Sequence, residues 1–219
     1  MHETIKNLLN IEKKVKQKFH ESNFDKVPNI IAVSKTFKID HINPLIEHGH
    51  IHFGENKVQE AVDKWTVVKQ KKTSLKLHLI GKLQTNKVKF AVKLFDYIHS
   101  LDNEKLAKKI SEYQIKENRY LKLFIQINIG DENQKSGINE NNLENFYNYC
   151  KDLSLNIVGL MCIPPFKEDS EKYFNKMEKL KNSLGLKELS MGMSSDYLNA
   201  LNYGATYLRI GSSIFGNRN

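Results

Sequence analysis

Three short segments of the 219-residue sequence hold side chains whose types and spacing suit chemistry. In "NIIAVSKTFKID" an apolar run delivers Lys35 at its end. In "LSMGMSSD", Ser194 and Ser195 follow a second apolar run, and in "YLRIGSSIFG", Arg209 stands just before Gly211, Ser212 and Ser213. A lysine at a strand end is partly desolvated, which disfavours the ammonium and frees the amine to condense with an aldehyde. Elsewhere on this lysine-rich chain the same residue is simply a solvated charge. Gly211 and the serines beside it offer backbone N–H groups and hydroxyls to an anion. Ser194 or Ser195 at a helix start adds amide groups and the positive end of the helix dipole. Each of these segments alone also reads as a helix cap or a glycine turn.

For the amine and the anion cradle to meet, the fold must gather distant segments. The hydrophobic period switches repeatedly between 2 and 3.6. Strand-like runs are "NIIAVS", "HIHFGE", "LKLHLIG", "FDYIHS", "LKLFIQIN", "NIVGLMCI", "KELSMGM" and "TYLRIG". A helical pattern covers residues 3–22, and seven more lie between the strands, with Asp40, Asn103, Asp169 and Ser195 as expected caps and Gly49, Gly185 and Gly204 as stops. Strict β–α alternation implies parallel strands joined by helical crossovers. Eight such strands predict a single (β/α)8 TIM-type barrel over residues 1–219, with an extra N-terminal helix covering the gap after strand eight, which has no helix of its own in the pattern. A doubly wound open sheet is the rival arrangement.

In a barrel, chemistry sits at the carboxyl ends of the strands, and the loops after strands seven and eight are the usual phosphate cradle. The expected strand ends carry Ser34 and Lys35, "GEN" (Gly54–Asn56), Gly81, Asn128, "MCIPP", "GMSSD" and "RIGSS". A lysine amine facing a phosphate cradle suits a phosphorylated sugar aldehyde or ketone, or pyridoxal 5′-phosphate, which has both groups. A pyridine ring explains Arg209 better than a sugar phosphate does.

Composition narrows the function class. The formal charge of +9 and pI of about 9.3 invite a nucleic-acid reading. Yet of 34 basic residues only Arg119, Arg209 and Arg218 are arginine, the residue that suits planar phosphate and base recognition. The lysines spread along helical segments and read as a solvated surface, so no specific nucleic-acid partner is expected. No signal peptide or apolar run of membrane-spanning length is visible. Two cysteines, Cys150 and Cys162, without metal-ligand spacing, point to a reducing cytoplasm.

"AVSKT", "HFGENKVQEAVDKW", "HLIGKLQTNK", "INIGDENQKSGI", "GLMCIP", "LSMGMSSDY" and "LRIGSSIFG", in this order from about residue 30 to residue 216, resemble the pyridoxal phosphate homeostasis protein family. The resemblance implies an alanine racemase N-terminal-domain-like barrel that binds pyridoxal phosphate as a Schiff base without known turnover. It implies that Lys35 holds the cofactor, that Ser194, Gly211 and Ser212 hold its phosphate, that Arg209 faces the pyridine nitrogen, and that Asn56 and Met161 line the pocket. Ser212 stands where members often have threonine, which keeps the hydroxyl.

Racemases with this barrel carry a second β-domain that helps build the active site and the dimer, whereas this chain ends at Asn219; a monomer is expected. Proton transfer on both faces of an amino acid needs two placed acid–base groups, and Lys35 is the one candidate. A guanidinium beside the pyridine nitrogen also discourages protonation of the ring. These features predict a cofactor carrier that supplies PLP-dependent apoenzymes, with a weak amino-acid racemase as the alternative. His48, His50 and His52 alternate as metal ligands might be sought, but a glycine interrupts them and no fourth ligand is evident, so no metal is expected. Lys135 reads as a solvated turn or a rim charge that aids transfer of the cofactor. Gln84, Asn86 and Lys87 read as a rim motif or a capped helix start, and Trp65 and Cys162 as packing residues.

Overall fold

The computed structural model describes residues 1–21, 24–132, 134–166 and 168–216. Eight parallel strands follow one another around a closed barrel: β1 (Asn29–Val33), β2 (His52–Glu55), β3 (Lys76–Leu79), β4 (Tyr97–Leu101), β5 (Lys122–Ile127), β6 (Ile157–Cys162), β7 (Glu188–Met193) and β8 (Tyr207–Ile210). Closure runs from Asn29 opposite Tyr207 to Ala32 opposite Ile210, so β1 and β8 share a seam. This rules out the open sheet.

The helices are α1 (Glu3–His20), α2 (Ile39–Glu47), α3 (Val58–Lys71), α4 (Val88–Leu94), α5 (Glu104–Glu117), α6 (Leu143–Asp152), α7 (Ser170–Ser183), α8 (Tyr197–Leu201) and α9 (Ser212–Phe215). Among the described residues no helix is long and apolar enough to cross a membrane. Side chains alternate along each strand and build two cores. Ile31 and Val33 join Tyr97, Phe124, Met161 and Tyr207 inside the barrel. Ile30 and Ala32 join Phe53, Trp65 and Phe174 in the layer under the helices.

Helix α1 seals the barrel at the seam. Leu8, Ile11 and Val15 recur on one face and are buried, each contributing roughly 1.5–3 kcal/mol. Asn7 Nδ2 donates to the Ile214 carbonyl at 3.0 Å and ties α1 to α9. The expectation that no helix follows strand eight is thus corrected: the turn after Gly211 closes into four-residue α9, too short to register as a period.

Two expected caps are also corrected. Asn103 and Asp169 do cap, accepting from the Leu106 and Glu171 N–H groups. Asp40 falls inside the first turn of α2, whose cap position is Lys38. Ser195 gives way to Asp196, whose Oδ1 accepts from the Met193 N–H at 2.6 Å and closes the loop that leads to α8. Gly49, Gly185 and Gly204 follow α2, α7 and α8 with positive φ, as stops require. Helix α1 ends at His20, and Ser22, the last residue of its expected span, lies outside the described residues.

Candidate functional site

At the carboxyl ends of the strands opens a cavity of about 700 Å³. Lys35, Asn56, Ser194, Arg209, Gly211 and Ser212 all line it. The seam explains part of this convergence: β1 delivers Lys35 and β8 delivers Gly211 and Ser212 to adjacent points of one rim. The loop after β7 brings Ser194, whose Oγ accepts from the Ser213 N–H at 3.4 Å. Val33, Ile80, Ile163 and Met193 form apolar wall. Phe166, 94% exposed, stands at the mouth.

Met161 is buried in the inner cluster with Val33, opposite Gln126 and Ser190 in the sheet, and Ile163 stands in the wall of the cavity.

Arg209 is 5% exposed. Its Nη1 donates to Ser190 Oγ and its Nη2 to the Cys162 carbonyl, each at 2.8 Å. Burial pulls its pKa down, with Cys162 and Asp196 opposing, but a guanidinium stays charged in proteins. Ser190 continues inward: its Oγ lies 2.8 Å from His99 Nδ1. His99 Nε2 lies 2.9 Å from His78 Nδ1, and His78 Nε2 lies 2.9 Å from His52 Nδ1. Arginine can only donate, so Ser190 Oγ accepts from it, and the same oxygen is joined to His99 Nδ1. The result is a continuous hydrogen-bonded chain from the cavity to the amino end of β2. Burial pushes His78 and His99 well below the usual imidazole range, and pushes His50 and His52 down to about 4. Of the alternating histidines, His52 ends this chain, His50 Nε2 lies 2.9 Å from the His52 carbonyl, and His48 is exposed.

A second polar cluster lies behind Lys35, between the barrel wall and α3. Glu55 Oε1 accepts from Ser34 Oγ at 2.8 Å, Lys64 Nζ at 2.9 Å and Trp65 Nε1 at 3.0 Å. Lys64 also donates to the Ser34 carbonyl at 3.0 Å and to Glu60 Oε1 at 3.1 Å, while Glu60 Oε1 accepts from the Thr36 N–H at 2.7 Å. The histidine chain and this cluster are absent from the sequence reading. The Glu60–Lys64 spacing of four on one helix was the available signal for the cluster.

Lys135 pairs with Glu132. It lines an adjoining cavity of about 340 Å³, with Lys82, Gln126 and Asn128, that shares Asn56, Ile80 and Ile163 with the first. Thr85–Lys87 form a 3-10 turn ahead of α4, and Gln84 makes no capping bond there. Gln84, Asn86 and Lys87 line neither cavity. Trp65 and Cys162 are fully buried, as expected.

The chain is an eight-stranded parallel barrel of the alanine racemase type, with Lys35 beyond the end of strand one and Gly211 and Ser212 beyond the end of strand eight. The family model "Alanine racemase, N-terminal domain" matches residues 11–219. An alanine racemase of Clostridium difficile superposes with a TM-score of 0.74 at 13% identity, covering 99% of this chain and 57% of its own, a likeness of fold alone. The pyridoxal phosphate homeostasis protein of Aquifex aeolicus is 38% identical over 199 residues, 86% of each chain. PipY of Synechococcus elongatus, solved with PLP bound, is 33% identical with a TM-score of 0.81, covering 94% of this chain and 100% of its own. The chain belongs to the pyridoxal phosphate homeostasis protein family.

Proposed function

We propose that this protein binds pyridoxal 5′-phosphate through Lys35, holds it in reserve and supplies it to apoenzymes, without sustained turnover. The observation that carries the reading is the convergence of Lys35, the Ser194–Gly211–Ser212 cradle and Arg209 on one cavity. The donor set fits the group. Lys35 offers the amine, Ser194 and Ser212 offer hydroxyls beside the Gly211 backbone, and Val33, Ile80, Ile163 and Met193 offer apolar wall to a flat ring. When bound, the coenzyme supplies a reactive aldehyde and an electron-withdrawing pyridine. The family membership and PLP-bound PipY support the same reading.

The lining also supports storage over catalysis. Among the described lining residues the ionisable side chains are Lys35 and Arg209. Arg209 does not give up its proton, and its fixed charge opposes protonation of a ring nitrogen beside it. Lys35 alone would then have to serve both faces of an amino acid, where racemisation asks for two groups. The two free, buried thiols, Cys150 and Cys162, support a reducing, cytoplasmic setting.

The test is spectroscopic. Purified protein incubated with PLP is expected to absorb near about 420 nm. Borohydride followed by peptide mass mapping is expected to place the coenzyme on Lys35, and Lys35→Ala to abolish both. A mapped adduct on another lysine, with colour retained in Lys35→Ala, rejects the assignment. The racemase reading, favoured by the family model alone, requires solvent deuterium to enter Cα of L-alanine with sustained turnover.

A further inference from the structure

The polar cluster behind Lys35 grips the two residues that flank it. Ser34 is held through its hydroxyl by Glu55 and through its carbonyl by Lys64. Thr36 is held through its N–H by Glu60. Lys64 bonds both carboxylates and joins the two grips into one unit.

Stability does not account for this arrangement. The Glu55 side chain is 0% exposed and that of Lys64 is 8% exposed. A buried ion pair is often no better than well-packed apolar side chains of the same volume. Among the described residues Glu55 Oε2 has no hydrogen-bond partner, which adds to the cost. Thr36 adopts φ +71°, a left-handed conformation that a β-branched residue holds only where its surroundings impose it. The Glu60 bond to the Thr36 N–H, at 2.7 Å, is such an imposition. Expense and strain thus concentrate on the one turn that carries Lys35.

We propose that Glu55, Glu60 and Lys64 are positioning residues that lock the Ser34–Thr36 turn and so aim the Lys35 amine into the cavity. The proposal rests on the assignment of Lys35 as the attachment point. It gives "GENKVQEAVDKW" one physical meaning: Asn56 faces the cavity, while Glu55, Glu60, Lys64 and Trp65 brace its rear wall.

Glu60 is half-buried, so Glu60→Ala is expected to leave the far-UV circular dichroism unchanged. It is expected to raise the PLP dissociation constant about tenfold and to lower the share of borohydride-fixed coenzyme on Lys35 in favour of other lysines. Glu60→Gln keeps an oxygen for the Thr36 N–H and is expected to restore affinity to within about twofold of the parent. The double variant Glu55→Gln/Lys64→Met removes the buried pair, leaves the part-exposed Glu60 carboxylate to the Thr36 N–H and solvent, and is expected to weaken binding as Glu60→Ala does. Affinity and adduct distribution unchanged in Glu60→Ala and in the double variant would overturn the proposal, as would a Glu60→Gln variant as impaired as Glu60→Ala. A parent adduct that maps away from Lys35 sinks the attachment assignment itself. A parent adduct on Lys35 with indifferent variants sinks the positioning role alone.

Discussion

Arg209 on β8 and His99 on β4, from opposite walls of the barrel, meet through one hydroxyl: Ser190 Oγ lies 2.8 Å from Arg209 Nη1 and 2.8 Å from His99 Nδ1. A buried cation is thereby held by neutral acceptors, the hydroxyl and the Cys162 carbonyl. Ser190→Ala removes one acceptor from the guanidinium and the hydroxyl partner of His99 Nδ1. Leaving buried groups unpaired costs about 1–3 kcal/mol. Urea unfolding is expected to show a lower midpoint with an unchanged m-value; an unchanged midpoint would mean that the chain carries no such energy.

The histidine chain makes stability pH-dependent with a definite sign. His50 and His52 titrate in the fold at about 4, and His78 and His99 well below their ordinary value, all chiefly through burial. Around His52, neighbouring His50, Lys76 and Lys122 push the same way, and Asp96 opposes. In the unfolded chain each titrates near its ordinary 6.5. Above that pH the contribution is fully present. As pH falls from about 6.5 toward 4, the unfolded chain takes up protons that the fold refuses, with a slope of up to about 1.4 kcal/mol per pH unit for each histidine. Unfolding free energies at pH 7, 6 and 5 are expected to decline steeply, and His50→Gln to flatten the decline. A pH-independent stability over that range would contradict neutral histidines inside the barrel.

Two glycines at the rim separate fold from binding. A Cβ on Gly81 would lie 2.3 Å from the Asn56 carbonyl oxygen and 2.8 Å from its Cα, backbone that cannot step aside cheaply. Gly81→Ala is therefore expected to lower the melting temperature and to displace Asn56 from the cavity. A Cβ on Gly211 meets Val33 at 3.5 Å, ordinary contact. Gly211→Ala is expected to melt as the parent does while losing PLP affinity, since the proposed anion site uses the Gly211 backbone and the methyl group narrows the cavity between Gly211 and Val33. Parent-like binding by Gly211→Ala would remove this backbone from the anion site.

What the sequence makes legible follows from period and position. Alternation of strand and helix patterns, with glycines after the helices, is enough to predict the closed barrel, and a barrel places Lys35, Asn56, Ser194, Gly211 and Ser212 on one rim because each lies in the loop after a strand, with Arg209 inside β8 reaching the same cavity from below. The chain from Arg209 to His52 joins β8, β7, β4, β3 and β2 across the barrel, and no local spacing reports contacts of that kind. The cluster at Glu55 is half legible: its helical pair is a sequence pattern, its grip on Ser34 and Thr36 a tertiary fact.

The two thiols test the interior from another side. Cys162 follows Met161 on β6 and its carbonyl binds Arg209, a neighbour that favours a thiolate. Burial outweighs that help and pushes the Cys162 thiol up to about 12; burial, with Glu104 nearby, does the same to Cys150. Thiolate is the reactive form, so a chromogenic disulfide reagent at neutral pH is expected to leave the native protein unmodified and to titrate both cysteines in guanidinium. Rapid labelling of native Cys162 would show that the layer between β6 and its covering helices opens readily, and with it the wall against which Arg209 is held.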